Sequence, residues 1–195
     1  MLGSATRLVT GPVLKTVEHI VMALMSSTLS TSAIIQNVKS NMIVQAPLEY
    51  FKRDKISVFL AGTIDNGESI DWQASLSNEI QEEFPKVNIY NPRRADWDKD
   101  ATVPDLIEQI RWEQKYLNQC SILFFNILAN SVSPVTLLEL GQALGRGKEV
   151  VIACSSDYFR YWNVRATALE HDRIVYTSYE QAVKLLKRKL TTRLE

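Results

Sequence analysis

The sequence is poor in the residues that bind metals or form disulfides. Its 195 residues include two cysteines, Cys120 and Cys154, and two histidines, His19 and His171. Two cysteines cannot build a disulfide framework, so we expect a reducing compartment and a cytoplasmic protein. Neither residue type clusters at the spacing of a metal site, which predicts a protein that holds no metal.

An excess of charge of one sign is also missing. The chain has 22 Lys+Arg and 22 Asp+Glu, so its formal net charge is zero. A balanced charge argues against nucleic-acid binding, which needs a basic face. No run of about 18 apolar residues occurs, which predicts no membrane-spanning helix. The patterns GxGxxG and GxxxxGK[ST] are missing too, so we expect no dinucleotide or other cofactor and no nucleoside triphosphate hydrolysis.

The first 50 residues differ in composition from the rest and are predicted to form an N-terminal extension. They are rich in serine and threonine, and the first 48 carry only four charged side chains. Apolar residues recur at helical spacing and predict a helix over 12–25. Two interpretations are open: this helix packs on the domain or on a partner subunit, or the acid-poor segment is an organelle targeting peptide.

From Lys55 onward, apolar strands alternate with helices. Continuous apolar strands of this kind predict a parallel sheet covered on both faces. Five such units in a domain over 51–195 predict an α/β, flavodoxin-like doubly wound fold with strand order 2-1-3-4-5. The predicted strands are 56–61, 87–90, 121–127, 149–153 and 173–176. The predicted helices are 70–84, 104–118, 134–145, 158–169 and 179–189.

Candidate site residues follow the strands, because ligands of a doubly wound fold bind at the carboxyl ends of its strands. Those segments supply turn glycines, carboxylates, hydroxyls, amides, two arginines and aromatic rings. These inventories suit a ligand made of a sugar and a base, with donors for a phosphate. The candidates are Gly62, Thr63, Asp65, Asn91, Arg93, Arg94, Trp97, Ser133, Asn163 and, on helices, Glu113 and Glu139.

Each candidate also has an ordinary structural explanation. Ser133 precedes a proline at a predicted helix start and is first of all an N-cap residue. Arg93 and Arg94 can form a solvated pair with nearby aspartates. Glu113 can be a surface acid. Glu139 is more unusual because three leucines surround it, and glutamate is rarely buried without a partner.

Five motifs occur in order along the chain: 58–64 (VFLAGTI), 91–97 (NPRRADW), 112–113 (WE), 133–141 (SPVTLLELG) and 161–164 (YWNV). Together they resemble the nucleoside 2-deoxyribosyltransferase family, in particular its nucleoside-deoxyribosyltransferase-like branch. The resemblance covers about residues 55–190. It implies a flavodoxin-like fold and cleavage of the N-glycosidic bond of 2′-deoxynucleosides or their 5′-monophosphates.

The resemblance implies a role for each of the two glutamates. Glu139, in its Glu-Leu-Gly context, would be the nucleophile that forms a covalent deoxyribosyl ester, by the logic of retaining glycosidases. Glu113 would bind and protonate the departing base, where the classical enzymes carry aspartate. A free nucleobase or water then accepts the sugar. The resemblance therefore allows either a transferase or a hydrolase activity.

The 5′ end of the substrate is also left open by the resemblance. Ser133 lies where the family contacts that end of the sugar; classical transferases have an acid there, and the related 5′-monophosphate N-hydrolases have serine. Their Gly-Ser-Ile turn is similar to Gly62-Thr63-Ile64. Asp65 in the same turn would repel a phosphate. Free nucleosides and monophosphates are therefore both candidate substrates.

The remaining residues receive roles by the same comparison. We interpret Arg93 as a substrate or phosphate contact and Trp97 as a base-stacking or lid residue. Asn163 lies near the position from which the family lends a residue to the neighbouring subunit's site. This position implies a homo-oligomer of two or more subunits.

A second hypothesis, from another class, is a catalytically inactive nucleotide-binding or structural subunit of a larger assembly. The N-terminal extension motivates it. Glu113 and Glu139 weigh against it because a scaffold has no need of an acid among leucines. A flavin-binding electron carrier rests on the fold alone, and the sequence lacks a phosphate-binding Ser/Thr-rich loop after the first strand.

Overall fold

The computed structural model describes residues 42–50, 55–94 and 102–195. Trp97 and the helix predicted over 12–25 lie outside these residues. The described strands are β1 (Met42–Gln45), β2 (Ser57–Gly62), β3 (Asn88–Asn91), β4 (Ile122–Ile127), β5 (Val150–Cys154) and β6 (Val175–Tyr176). The described α-helices are α1 (Trp72–Glu83), α2 (Val103–Gln119), α3 (Pro134–Gly145), α4 (Tyr161–Glu170) and α5 (Tyr179–Leu194), and a 3-10 turn spans Asp65–Gly67.

Several helices begin at residues whose side chains satisfy free backbone N–H groups. The Asp71 carboxylate accepts a hydrogen bond from the Ala74 N–H at 2.9 Å and starts α1. At the start of α2 the Asp105 carboxylate accepts from the Thr102 N–H at 3.0 Å and from the Thr102 hydroxyl at 2.6 Å. The Ser178 hydroxyl oxygen accepts from the Gln181 N–H at 3.2 Å and starts α5. Because the first N–H groups of a helix have no partner within it, these local contacts fix where each helix begins.

The sheet is parallel throughout and has the strand order β1-β3-β2-β4-β5-β6. Without β1, this order is the predicted 2-1-3-4-5, and the α/β doubly wound fold is confirmed. The predicted number of five strands was one too few. The sixth strand, β1, pairs with β3 at the sheet edge and lies within the residues that the sequence assigned to the extension. Its four residues, MIVQ, sit in a serine-rich segment and give little signal of their own.

Helices cover both faces of the sheet. One buried cluster includes Trp112 and Tyr116 of α2, Leu140 of α3 and Val164 of α4, packed on one face. The other includes Leu76 of α1 and side chains of α5 on the opposite face. All six residues of β4 are buried, as expected for a central strand with helices on both sides.

The carboxyl end of β2 is held very close to β4. Gly62 has a φ of 150°, and a Cβ atom there would lie 2.3 Å from the backbone oxygen of Asn126. Glycine is therefore required, because any side chain would clash with backbone. The next N–H, of Thr63, donates to the same oxygen at 2.9 Å. This approach places the segment after β2 directly beside the segment after β4.

Within the described part of the chain, none of the helices has the length and apolar character needed to cross a membrane.

Candidate functional site

A cavity of about 560 Å³ lies at the carboxyl edge of the sheet. This volume falls in the range of about 300–1,000 Å³ that is usual for small-molecule sites. Its walls come from the segments after β2 and β3, from α2, and from the start of α3. The lining residues with functional side chains are Asp65, Arg93, Arg94, Gln109, Glu113, Ser133, Thr136 and Glu139.

Glu139 is a buried acid on α3. Only 6% of the residue is exposed, and the exposed part lines the cavity. Burial raises the pKa of the Glu139 carboxyl from its ordinary 4.5 to about 8, and the negative charge of Glu113 adds to the increase. A carboxyl group in this setting keeps its proton to a higher pH than an exposed one.

Glu113 faces the same cavity from α2. Gln109, one turn earlier on the helix, donates from Nε2 to the Glu113 Oε1 at 2.8 Å and to the Pro92 carbonyl at 2.9 Å. Burial raises the pKa of the Glu113 carboxyl, whereas the hydrogen bond from Gln109 acts in the opposite direction. Gln109 therefore links the Glu113 carboxylate to the segment after β3 by hydrogen bonds.

Gln109 is a site residue to which the sequence assigned no role. Its signal was its spacing, because residues i and i+4 lie on the same face of a helix. The sequence shows that Gln109 and Glu113 share a face, but not that the Pro92 carbonyl accepts from the same amide.

Three buried hydroxyl groups meet beside the cavity, and of these Ser133 lines it whereas Thr63 and Ser131 do not. Thr63 Oγ1 lies 2.7 Å from Ser133 Oγ and 3.1 Å from Ser131 Oγ, and the two serine oxygens are 2.9 Å apart. Leu128 anchors the cluster: its N–H donates to Thr63 Oγ1, and its carbonyl accepts from Ser131. The Ser133 hydroxyl can donate to Thr63, to Ser131 or to a ligand in the cavity.

Ser133 begins α3 in a way that its sequence position did not predict. It occupies the N-cap position, but its side chain makes no capping hydrogen bond. Its backbone is left-handed, with a φ of 45°, and its hydroxyl joins the Thr63 cluster instead. The predicted N-cap position is therefore confirmed, but the expected side-chain capping bond is not made, because tertiary contacts take the hydroxyl.

Arg93 lines the cavity, but its guanidinium is occupied. The two terminal nitrogens donate to backbone carbonyls of Gly67, Ser69 and Ile70 at 2.8–3.0 Å and to the Ser69 hydroxyl at 3.3 Å. The Arg93 Nε lies 3.8 Å from the Asp71 carboxylate. These contacts join the segment after β3 to the loop between β2 and α1.

The other predicted residues have varied positions. Asp65 and Arg94 line the cavity, and Asp65 has a left-handed φ of 48°. Asn91 is buried, and its Oδ1 accepts from the Arg93 N–H. Asn163 is exposed on α4 and is not among the residues that line this cavity.

Apolar side chains complete the cavity wall. Leu106 and Ile110 project from α2, and Val132 and Val135 flank the start of α3. All four are more than one-third exposed. Such a surface suits the flat face of a ligand ring, because apolar area leaves water when the ring binds.

No group of three or more His, Cys, Asp or Glu residues in the described ranges is arranged to hold a metal ion. The two cysteines, Cys120 and Cys154, are buried and unpaired. Burial raises the pKa of both thiols to about 12, so both are protonated at neutral pH.

Comparisons with known proteins found a family model and solved structures to which this chain is similar. Residues 55–158, more than half of the chain, match the model of a family described as nucleoside 2-deoxyribosyltransferase like. A crystal structure of a conserved protein from Enterococcus faecalis V583 is similar, with 16% sequence identity and a TM-score of 0.47. The similarity covers 71% of this chain and 99% of that one. No curated protein matches the sequence.

Proposed function

The chain belongs to the nucleoside 2-deoxyribosyltransferase-like family, and from that premise we propose that it cleaves the N-glycosidic bond of 2′-deoxynucleosides or their 5′-monophosphates. The reaction passes through a covalent deoxyribosyl ester on Glu139. One observation carries the proposal: a buried carboxyl group, Glu139, shares a cavity with a second acid, Glu113.

In the first step the two acids act on opposite ends of the breaking bond. An ionised Glu139 oxygen attacks C1′ of the sugar and forms the ester, while the bond from C1′ to the base nitrogen breaks. The electron pair of that bond stays with the base, and Glu113 supplies the proton that neutralises it. This division into a nucleophile and a general acid follows the pattern of retaining glycosidases.

The second step reverses the roles. A nitrogen of another base, or a water oxygen, attacks C1′, and the bond to the Glu139 oxygen breaks. Glu113, now ionised, accepts the proton that the incoming nitrogen or water gives up. The base accepts the sugar in a transferase, and water accepts it in a hydrolase, with the same protein groups in both cases.

The orientation of the ligand follows from the chemistry of the two sides. The base packs on the wall that Leu106 and Ile110 form, close to Glu113 on the same helix. The 5′ end of the sugar lies toward Ser133 and the first turn of α3. The early N–H groups of a helix lack partners within it and favour an oxygen or an anion.

Two features of the cavity act in opposite directions on a 5′-phosphate. The Ser133 hydroxyl, the helix start and Arg94 favour an anion, whereas the Asp65 carboxylate repels one. The proposal therefore includes both free nucleosides and 5′-monophosphates as substrates. A homo-oligomer in which Asn163 reaches the neighbouring subunit's cavity is part of the same proposal, since this exposed residue does not line its own.

A chromatographic assay tests the proposal. The protein is incubated with each 2′-deoxynucleoside and each 5′-monophosphate, with and without a second free base, and released or exchanged base is measured. Glu139→Ala is the test variant, and Glu170→Ala, which changes an exposed acid on α4, is the matched control.

We expect base release or exchange by the wild type and the control, and a loss on the order of 10³-fold or more in Glu139→Ala. Dependence on added base identifies a transferase. No turnover of any substrate by the wild type would overturn the proposal and favour the inactive, structural alternative.

A further inference from the structure

The strongest unexplained set of contacts belongs to the Arg93 guanidinium. Its two terminal nitrogens carry four N–H groups, and the structure gives them four acceptors. These are the carbonyls of Gly67, Ser69 and Ile70 and the Ser69 hydroxyl. The remaining nitrogen faces the Asp71 carboxylate at 3.8 Å.

The side chain is also hidden from solvent. Only 11% of the Arg93 side chain is exposed. All four terminal N–H groups of this planar guanidinium donate to one loop, so its geometry is used for that loop in the way an arginine elsewhere binds a carboxylate through two parallel hydrogen bonds. To bind a phosphate bidentately, it would first have to break contacts with backbone carbonyls that would then lose their partner.

The backbone of Arg93 is held from the opposite direction. Its N–H donates to the Asn91 Oδ1 at 2.9 Å, and its carbonyl accepts from the Gln45 Nε2 at 2.7 Å. Gln45 is on β1 and Asn91 is on β3, so the residue is anchored to two strands. The anchored side chain then reaches the loop that follows a third strand, β2.

The loop that Arg93 holds forms one wall of the cavity. It contributes Ile64, Asp65 and Gly67 to the lining. Within the loop, the backbone N–H groups of Gly67 and Ser69 donate to the Ile64 carbonyl, and that of Glu68 donates to the Asp65 carbonyl. Arg93 donates to three other carbonyls. That of Ile70 also accepts from the Trp72 N–H, whereas those of Gly67 and Ser69 accept none of these local backbone bonds, so the guanidinium adds contacts that the loop does not make for itself.

We propose that Arg93 is a positioning residue that clamps the loop of residues 64–71, and with it Asp65, in place at the cavity, and that it does not bind the anion of a substrate. The claim that Arg93 holds this loop in place depends only on the contacts described above. The expected effect on substrate binding rests on the proposed function. The proposal replaces the substrate or phosphate contact that the sequence predicted for Arg93.

Ligand binding separates a clamp from a phosphate ligand. Calorimetry is done on Arg93→Lys and Arg93→Met in a Glu139→Ala background, which blocks turnover. The probes are pairs of a 2′-deoxynucleoside and its 5′-monophosphate that carry the same base. Arg188→Met, an exposed arginine on α5, is the control. A clamp predicts that both members of a pair lose affinity by the same factor, roughly tenfold, because the whole wall moves.

Hydrogen exchange gives a readout that does not depend on any ligand. A clamp predicts faster exchange of the amides of 64–71 in both Arg93 variants than in the Arg188 control. Arg93→Lys keeps the charge and most of the side-chain stem, so it serves if Arg93→Met does not fold. Lysine cannot reproduce the four-donor fork, and we expect it to restore the loop only in part.

Two results would overturn the proposal. One is a selective loss of affinity for the monophosphate, with the nucleoside unchanged, which would make Arg93 a phosphate ligand. The other is unchanged exchange of 64–71 in both variants. If the Glu139→Ala protein binds no member of any pair while loop exchange increases in the variants, the proposed function has failed but the clamp stands.

Discussion

The two sides of the cavity satisfy their polar groups to very different degrees. On one side, Thr63, Ser131 and Ser133 bond to one another and to the backbone of Leu128. On the other, Glu139 is buried beside a second acid, and among the described residues none donates a hydrogen bond that would offset its burial. Each of the three hydroxyl groups therefore has a hydrogen-bond partner, whereas the Glu139 carboxyl has none among the described residues.

This difference separates the groups that hold geometry from the groups that react. A satisfied network gains little from a ligand and keeps its shape without one. An acid whose pKa is raised by burial and by a like charge is held in a costly state, and such states concentrate at functional sites. Changes on the carboxyl side should therefore alter chemistry, and changes on the hydroxyl side should alter mainly affinity or stability.

Apart from the loss of Glu139 itself, the largest effect is expected from Glu113→Gln. Glutamine keeps the shape and can still accept from Gln109, but it cannot supply a proton to the departing base. We expect kcat/KM to fall by about 10²- to 10⁴-fold, with smaller losses for bases that leave readily. Glu108→Gln, an exposed acid on the same helix, is the control. A loss no greater than that of the control would remove Glu113 from the chemistry.

The second effect is on the pH dependence of activity. The nucleophile must be ionised, and burial with the Glu113 charge raises the pKa of Glu139 to about 8. We expect kcat/KM to pass through a maximum and to fall near pH 8 and above, because the free enzyme needs Glu139 ionised while Glu113 still holds its proton. In Glu113→Gln only Glu139 of the two acids titrates, so kcat/KM should rise with pH and level off below pH 8, since one cause of the raised pKa is gone. A limb near the ordinary value of 4.5 would contradict the account.

The third effect is on stability. The folded state keeps the Glu139 proton to a higher pH than the unfolded chain, so stability falls as pH rises from about 4.5 to about 8. A neutral Glu139→Gln variant escapes this loss. Its stability relative to wild type should increase by about 1.4 kcal/mol for each pH unit in that window. Chemical denaturation at several pH values measures it. A stability difference that stays constant across the window would contradict the raised pKa of Glu139.

The smallest effect is expected from Ser133→Ala on the hydroxyl side. Thr63 can then donate to Ser131, so the network stays satisfied, and we expect a stability change below about 1 kcal/mol and a KM change below about tenfold. Thr63→Val is the informative comparison. It leaves the buried Leu128 N–H without its acceptor and should cost about 1–3 kcal/mol. Equal destabilisation by the two variants would show that the cluster is organised differently.

Much of the fold can be predicted from the sequence, because apolar runs mark the strands and local residues mark where helices begin. The buried run of β4 and the capping residues of α1, α2 and α5 act locally, so the sequence predicts these elements and their order. The edge strand β1 was missed because it is short and depends on its pairing with β3 for its identity.

The site was predictable at the level of which segments meet, but not at the level of contacts. The topology brings Glu113 and Glu139 to one edge of the sheet. The hydroxyl cluster joins residues about 70 positions apart, and Arg93 binds carbonyls more than 20 positions earlier. No local pattern encodes such tertiary partners, and they decided what the Ser133 hydroxyl and the Arg93 guanidinium do.

The account depends most on a bond between Glu139 and the sugar. The most direct measurement is peptide mass spectrometry after a reaction with a 2′-deoxynucleoside or its 5′-monophosphate is quenched in acid. The account predicts one added deoxyribosyl or deoxyribosyl-phosphate group on the peptide that contains Glu139, and none in Glu139→Gln. Turnover with no adduct, or with an adduct on another residue, would contradict it.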